Sequence, residues 1–552
     1  MNKKRLPKST YPNRYEIELD VDLDNFSYTG AQKVDLNVVE ATNNIVLNSV
    51  GIEVTKAKIQ TTKQDIPLEV NYIEEDEKIV FESQETLSEG VYELYLEFNS
   101  EITNDLKGFY KSSYMSEDGE KKWIATTQFE PTAARSAFPC WDEPEYKAIF
   151  SMTIITDEKY LRVSNEMVVE EEKVENNKLR TKFADSMKMS SYLVAFVIGD
   201  LEATVVGKSK TTDIRIIHRP GFSHQTSYAG TAAIKLLDFF EDYYKIPYPG
   251  TKLDLIAIPD FAMGAMENVG AVTFRENLLL FDKDKATRSE LDRSITVIAH
   301  ELAHMWFGDL VTMKWWDGIW LNEAFASLME VIASYNTYPE FKQWNAMNMS
   351  RTAGFSIDSL ENSRPVEFDV ETPDQAEEMF DVLTYEKGST VLRMFQMFIG
   401  EEAFQNGVEA YLNKFKFENT NSSDLWDALS EASNQPLNKI LPFWIREKGY
   451  PFLQVDCSNN FLTIKQKPFL LKNVETDKNN IKPVPVQIKF LDTGNEEKFL
   501  LDEAERVIDL KNLGEVPHIN SGGWGFFHTF YDDEVFENIL ANFDKLNDLE
   551  KY

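Results

Sequence analysis

Alternating apolar and polar side chains appear close to the start of the chain. The apolar positions are Tyr15, Ile17, Leu19, Val21 and Leu23, and the residues between them are acidic. A period of two is typical of a β-strand with one buried face. Similar stretches continue to about residue 202. The pattern therefore predicts an N-terminal region built of strands.

A helical period replaces this alternation from Ala232 onward and dominates up to the break at Gly449–Pro451. Strand-like patterns then resume in the segments 461–466 and 484–490, and they end near Tyr531. Short strands of this kind predict a small β-sandwich. We find no internal repeat and no low-complexity tract.

The predicted fold class is multidomain α+β. A chain of 552 residues with 43% hydrophobic residues is too long for one ordinary core and can bury several. The predicted domains are an N-terminal β domain at 1–202, a largely helical domain at 203–449, a β-sandwich at 450–531, and the start of a helical segment or tail at 532–552.

Composition narrows the set of partners and compartments. The chain has 57 basic and 92 acidic residues, a net charge of -35, which repels nucleic acid and anionic membrane surfaces. No apolar run of about eighteen residues occurs, and Met1–Pro7 lacks the apolar segment of a signal peptide. Cys140 and Cys457 are too few and too distant to predict a disulfide framework. We predict a cytoplasmic protein without nucleic-acid or membrane partners.

Candidate chemistry concentrates at His300, Glu301 and His304. On a helix, residues four apart share one face, so the two imidazoles can bind one metal ion. Glu301 lies one step round the helix and is free to act as a base on a metal-activated water. A helix is predicted here, because apolar residues recur at helical spacing before Gly308 and because Ser289 with Asp292 forms a capping-box pattern.

Glu323 follows His304 after eighteen intervening residues, on a second predicted helix. Its carboxylate would complete a His2Glu ligand set that leaves one coordination position open, as in a hydrolytic zinc site with one Zn2+ per chain. The alternative is a chance pattern on an amphipathic helix, with exposed or hydrogen-bonded histidines. Two of only six histidines fall at ligand spacing around a glutamate, which favours the metal site.

The string His300–Gly308, the spacing to Glu323 and the segment Gly264–Asn268 resemble the M1 zinc aminopeptidases, gluzincins with a GAMEN motif. The similarity extends to Gln128–Pro131 with Arg135, Cys140–Pro144 and Tyr385–Gly388, in the family's usual order. The resemblance implies a thermolysin-like catalytic domain at 203–449. It also implies that the following residues contact the substrate: Gln128, Glu130, Gly264, Ala265, Met266, Glu267 and Asn268.

The implied reaction is removal of N-terminal residues from peptides. An exopeptidase must recognise a free ammonium group, and a buried cation needs surrounding carboxylates. The resemblance gives this role to Glu267 and Glu130, and it gives Tyr385 the stabilisation of the oxyanion. A phenol in a protein core is the alternative for Tyr385, and a salt bridge in a loop is the alternative for Glu130.

Two other functions stay open. A related zinc hydrolase of the same fold opens a lipid epoxide, so small-molecule hydrolysis is one alternative. A non-catalytic peptide-binding relic is the other. Many family members continue into a large helical domain, whereas about twenty residues follow the predicted sandwich here. We therefore expect a more open site, or an exposed surface that a protein partner or oligomer covers. Asp309 and Ala324 stand where Asn and Gly are frequent in the family.

Overall fold

The alternating segment near the N-terminus forms one long strand, Thr10–Asp22, as predicted. Tyr15, Ile17, Leu19 and Val21 are each at most 1% exposed. A computed structural model describes residues 5–61, 64–471 and 481–551. The prediction about the first residues of the chain falls partly on positions 1–4, which lie outside the described residues.

Strands dominate the first part of the chain. In chain order they are β1 (Thr10–Asp22), β2 (Ser27–Val38), β3 (Thr42–Asn48), β4 (Glu53–Gln60), β5 (Ile66–Ile73), β6 (Lys78–Leu87), β7 (Gly90–Glu101), β8 (Gly108–Met115), β9 (Lys121–Gln128), β10 (Ile149–Asp157), β11 (Leu161–Ser164), β12 (Val168–Val174), β13 (Lys178–Asp185), β14 (Phe196–Gly199), β15 (Glu202–Ser209) and β16 (Thr212–His218).

Helices and further strands follow. They are α1 (Ser227–Tyr244), β17 (Lys252–Ile258), β18 (Ala265–Met266), β19 (Ala271–Arg275), α2 (Arg288–His304), β20 (Thr312–Met313), α3 (Trp320–Thr337), α4 (Gln343–Asp358), α5 (Pro373–Glu378), α6 (Gly388–Ile399), α7 (Glu401–Lys414), β21 (Asn419–Thr420), α8 (Ser422–Ser433), α9 (Leu437–Ile440), α10 (Pro442–Ile445), β22 (Tyr450–Ser458), β23 (Phe461–Phe469), β24 (Val484–Phe490), β25 (Glu496–Leu501), β26 (Glu505–Asp509), β27 (Pro517–Ile519), β28 (His528–Tyr531), α11 (Asp533–Leu540) and α12 (Asp548–Lys551).

The chain forms two compact units, and the first comprises Met1–Trp316, Glu371–Glu377 and Phe415–Thr420. Its largest sheet has ten strands in the order β12-β13-β10-β1-β2-β7-β4-β5-β6-β3. In this sheet β1 pairs antiparallel with β2 and parallel with β10. A four-stranded sheet, β11-β14-β9-β8, completes the N-terminal β-structure.

The first unit also contains a five-stranded sheet, β15-β16-β17-β19-β18, with β18 at one edge. The sequence pattern did not predict this sheet, and from Ala232 onward it predicted mainly helices. Every residue of β17 is buried. A strand that is buried on both faces has no alternation, so its period cannot be distinguished from that of a buried helix.

The second unit comprises Asp317–Val370, Glu378–Lys414 and Asn421–Tyr552. Helices α3, α4, α6, α7 and α8 form its first part. Two sheets form its C-terminal part, one in the order β26-β23-β22-β28 and one in the order β25-β24-β27. The predicted α+β fold class, with strand-rich regions at both ends of a helix-rich region, is confirmed. The boundaries between the four predicted domains stay predictions.

Two smaller predictions concern cysteine and membrane segments. Both Cys140 and Cys457 are free thiols, which agrees with the absence of a predicted disulfide framework. Among the described residues, no helix combines the length and the apolar character that a membrane crossing requires.

Ile17 and Glu18 test the alternation of β1. Ile17 is fully buried, whereas Glu18 is a partly exposed residue that pairs with Arg180. We expect Ile17→Ala to lower the free energy of unfolding by about 2–5 kcal/mol because it leaves a cavity. Glu18→Ala should cost less than about 1 kcal/mol because a surface ion pair contributes little. Urea unfolding measures both, and equal losses would contradict the assigned register.

Candidate active site

Helix α2 carries the pair of histidines, and its start is well defined. Thr287 is the N-cap: its hydroxyl accepts a hydrogen bond from the Glu290 backbone N–H, and Thr287 N–H donates to the Glu290 carboxylate over 2.8 Å. The predicted capping box of Ser289 and Asp292 was therefore wrong by two residues. Thr287 has the extended backbone that an N-cap needs, while Ser289 already lies inside the helix.

His300 and His304 lie one turn apart on α2, and their ring centroids are 4.7 Å apart. His300 is half-buried and His304 is 1% exposed. His304 Nδ1 lies 2.9 Å from the carbonyl oxygen of Phe307. Because a carbonyl only accepts hydrogen bonds, this contact requires the proton of a neutral His304 to sit on Nδ1. In that tautomer Nε2 is the unprotonated nitrogen, and an unprotonated nitrogen is what a metal ligand requires.

Glu267 lies beside this pair. Its Oε1 is 3.8 Å from His304 Nδ1, and the residue is 3% exposed. It directly follows β18, whose two residues pair antiparallel with β19. Asn268 Nδ2 donates to the Ala271 carbonyl over 3.3 Å and to Thr273 Oγ1 over 3.2 Å, which fixes the turn between the two strands. The strand before Glu267 and the turn after it therefore hold this residue in place.

Gln128, the last residue of β9, contacts the same turn. Its Nε2 donates to Met266 Sδ over 3.3 Å. Its Oε1 is buried and has no hydrogen-bond partner among the described residues. An unsatisfied buried carbonyl costs free energy, so this oxygen is suited to accept a hydrogen bond from a ligand. Glu130, two residues later, is half-buried.

Asp309 and Lys147 form a second set of buried groups near His304. Asp309 is fully buried, and burial together with the neighbouring charge of Glu267 raises the pKa of its carboxyl well above the ordinary value. Burial also lowers the pKa of Lys147 to about 7. Lys147 Nζ donates to the carbonyls of Asp309 and Leu310 over 3.0 and 3.2 Å. Burial thus favours the neutral form of Asp309, which has the shape of an asparagine.

Lys147 was missed by the sequence analysis. It is one of 57 basic residues, and no local pattern distinguishes it. Only the fold reveals that its ammonium group contacts the backbone five residues after His304.

The second unit holds Glu323 and Tyr385. Glu323 lies in the first turn of α3 and is 2% exposed. Tyr385 is half-buried in a π-helical turn, Leu383–Lys387, that leads directly into α6. A Cβ atom on Gly388 would lie 2.6 Å from Ala324 Cβ. The absence of a side chain at Gly388 therefore allows the start of α6 to approach α3 at the residue after Glu323.

The first unit thus brings together His300, His304, Glu267 and Gln128, and Glu301 is buried on the same helix. The second unit packs the segment that carries Tyr385 against the helix that carries Glu323. The assignment of individual functional roles to these residues is a proposal.

Comparisons with known proteins agree with this arrangement. The chain is 37% identical to "Aminopeptidase M1-A" of Oryza sativa subsp. japonica, over 99% of this chain and 64% of that protein. It is 40% identical to "Aminopeptidase M1" of Arabidopsis thaliana, over 96% of this chain and 62% of that protein. It is 37% identical to the "Puromycin-sensitive aminopeptidase" of Caenorhabditis elegans, over 98% of this chain and 58% of that protein. The chain thus spans about three-fifths of the length of these relatives.

Two family models also match the sequence. The peptidase M1 N-terminal domain matches residues 11–193, and the peptidase family M1 domain matches residues 228–444. The second match includes α2, α3 and the π-helical turn, and hence both histidines, Glu323 and Tyr385. Together the two matches extend over well more than half of the sequence, and the chain belongs to peptidase family M1.

Proposed function

We propose that this protein is a zinc-dependent aminopeptidase that removes N-terminal residues from peptides with a free amino group. The observation that carries the proposal is the buried carboxylate of Glu267 beside His304, 3.8 Å from its Nδ1, on a helix that presents two imidazoles on one face. A metal-ligand pair next to a buried anion fits a site that hydrolyses a bond close to a cationic group.

His300, His304 and Glu323 would hold the zinc ion. Each offers one ligand atom of a type that zinc accepts, and two imidazoles with one carboxylate are the usual donors of a hydrolytic site. The hydrogen bond from His304 Nδ1 to the Phe307 carbonyl supports this role, because it leaves Nε2 as the ligand atom. When bound, zinc would lower the pKa of a water molecule towards ~7 and polarise the scissile carbonyl.

Glu301 would be the general base. It is 5% exposed, and it lies one residue from His300, where a helix turns its side chain away from the shared histidine face. Its carboxylate would take a proton from the attacking water and return a proton to the nitrogen of the departing peptide. This cycle leaves Glu301 ionised and ready for the next substrate.

Glu267, Glu130 and Gln128 would bind the substrate ammonium group. A buried ammonium group is stable only when carboxylates and hydrogen-bond acceptors surround it. Gln128 Oε1 meets this requirement as an acceptor that the described residues leave unsatisfied. An N-acetylated peptide carries no positive charge there, so its binding would leave the carboxylates uncompensated.

The edge strand β18 would bind the main chain of the peptide. Ala265 and Met266 pair with β19 on one side only. An extended peptide can add to such an edge as a further strand, with its N-terminus directed to Glu267. Gly264 has room for this approach, since a Cβ there would meet only Leu278 Cδ1, at 3.8 Å, among the described atoms.

Tyr385 would stabilise the oxyanion. Attack by water places negative charge on the carbonyl oxygen, and a phenol donates a stronger hydrogen bond to that oxyanion than to the ground-state carbonyl.

Cytoplasmic residence and a protein partner or oligomer at an exposed surface remain predictions.

Hydrolysis of aminoacyl-anilides tests the proposed function. We expect the purified protein to cleave several of these substrates, to lose activity after a chelator removes zinc, and to regain it when zinc is added back. N-acetylated anilides should be inert, because they lack the ammonium group. Cleavage of N-acetylated substrates at equal rates, or of a lipid epoxide alone, would identify another hydrolase, and zinc binding without any turnover would identify a binding protein.

Glu301→Gln separates metal binding from catalysis. The variant should bind one zinc ion per chain, whereas kcat should fall by roughly 100-fold to 10,000-fold, because the amide cannot take a proton. Metal analysis and aminoacyl-anilide kinetics measure the two properties. A variant that turns over at the parental rate would show that another group is the base.

Glu267→Gln tests recognition of the amino group. The exchange keeps the shape of the side chain and removes its charge, so kcat/KM for free-amine substrates should fall by roughly 30-fold or more. Glu97→Gln, which changes a partly exposed glutamate in the N-terminal β-structure, is the matched control and should leave kcat/KM unchanged. Parental kinetics for the Glu267 variant would exclude its role at the ammonium group.

A further inference from the structure

The turn that carries Tyr385 has an uncommon geometry. Residues Leu383–Lys387 form a π-helical turn, in which hydrogen bonds skip one residue more than in an α-helix. Such turns are rare, and those that occur are often found at functional sites. An unusual backbone conformation persists only where surrounding contacts hold it. The contacts around this turn therefore determine where the phenol of Tyr385 lies.

Asp381 and Arg364 hold the start of the turn. Asp381 Oδ1 accepts hydrogen bonds from the backbone N–H groups of Leu383 and Thr384, over 2.9 and 3.1 Å. Arg364 Nη2 donates to the same carboxylate oxygen over 2.5 Å and to Thr384 Oγ1 over 3.1 Å. These bonds fix the two residues that precede Tyr385.

Lys387 holds the end of the turn. Its Nζ lies 2.8 Å from Asp358 Oδ2, and both side chains are 0% exposed. Asp358 is the last residue of α4. Its other oxygen accepts hydrogen bonds from Ser363 Oγ and from the Gly449 backbone N–H, both over 2.8 Å. The ion pair therefore connects the last residue of the turn to a carboxylate whose own position is fixed by two further segments.

Tyr385 and Lys387 point in different directions from the same turn. Two residues along a helical turn correspond to roughly half a revolution. Accordingly, Lys387 is completely buried whereas Tyr385 is half-buried. Contacts that fix the buried lysine side chain therefore also fix the backbone of the turn, from which the phenol of Tyr385 extends in the opposite direction.

A fully buried ion pair such as Lys387–Asp358 is not explained by a contribution to the free energy of unfolding. Removing two charges from water costs free energy that their attraction barely offsets, and apolar residues of similar shape are often as stable. Buried ionic groups can instead define a single arrangement of the segments they connect. The Lys387–Asp358 pair has the geometry for that role, because it joins α4 to the turn before α6.

We propose that Lys387 is a positioning residue for Tyr385: its ion pair with Asp358 fixes the π-helical turn, so that the phenol occupies the place needed to stabilise the oxyanion. The expected loss of kcat rests on the proposed aminopeptidase function, whereas the expected effect on the position of Tyr385 does not. A misplacement of about 1 Å at a reacting group can reduce turnover by roughly 100-fold.

The first test compares the double variant Lys387→Met/Asp358→Asn with the parent. The double variant removes both charges, so that no lone buried charge is left. We expect it to bind zinc, to keep KM within about 2-fold, and to lose roughly 100-fold in kcat on an aminoacyl-anilide. Adding Tyr385→Phe to the double variant should then cost far less than the same change costs in the parent, because the phenol is already misplaced.

Two further variants complete the experiment: a second test of the ion pair and a control for loss of stability. Asp358→Asn alone keeps the shape of the side chain, and its amide would face Lys387 as a second donor, so it tests the same pair if the double variant fails to fold. We expect it to lower kcat in the same direction. Leu96→Ala destabilises the ten-stranded sheet of the first unit, where Leu96 is fully buried, and should leave kcat unchanged.

A spectroscopic measurement separates this inference from the proposed function. With 3-fluorotyrosine at position 385, the 19F NMR signal of the metal-free parent should be a single sharp line, and the signal of either Asp358 variant should be broadened or split. If the parent hydrolyses no anilide, the proposed function fails while the NMR comparison still decides the role of Lys387. Unchanged 19F lines, or an undiminished effect of Tyr385→Phe in the double variant, would overturn the inference.

Discussion

The hydrogen bond between His304 Nδ1 and the Phe307 carbonyl is the constraint on which the proposed metal site depends. It determines which nitrogen of a neutral, buried imidazole is protonated, and it prevents rotation of the ring. The helix supplies the second imidazole at a fixed spacing, and the capping box at Thr287 and Glu290 determines where that helix begins. The arrangement of the two proposed ligands thus depends on the backbone contact at Phe307, within one turn of His304, and on the helix start at Thr287.

Electrostatics impose a second constraint. Glu267 and Asp309 are both buried near His304, where burial and the charge of Glu267 raise the pKa of Asp309. Lys147 offers partial compensation, although burial lowers its own pKa. Because burial favours the neutral form of Asp309, the negative charge that a bound cation could compensate lies mainly on Glu267. In the proposed function this charge would favour a positively charged group, and the net charge of -35 on the whole chain acts in the same direction at longer range.

Sequence patterns predicted the elements whose signals are local. The alternation in β1 and the helical spacing in α2 and α3 identified those elements, because one buried face produces one period. The capping box was placed two residues too late, since Ser289 with Asp292 and Thr287 with Glu290 satisfy the same pattern and only backbone geometry distinguishes them. The domain boundaries, which no local signal defines, stay predictions.

Other features depend on pairing between distant residues and therefore have no local signal. Lys387 and Asp358 are connected only by the fold, as are Lys147 and the carbonyl of Asp309. β18 lies at the edge of its sheet, where it pairs with β19, whose other side pairs with β17. No periodicity within Gly264–Asn268 indicates it. The family resemblance identified Gly264–Asn268, but only the three-dimensional structure explains why this segment lies at the edge of a sheet.

The edge strand β18 is only two residues long. Long, flat edges invite unwanted pairing with other copies of a protein, and shortness is one of the ways in which natural sheets avoid aggregation. An edge strand of two residues is long enough to pair with the backbone of a short peptide, but too short to support the extended strand pairing of a fibril. If a peptide pairs with β18 as proposed, a strand of two residues would fix only the first few positions of that peptide, whatever its total length.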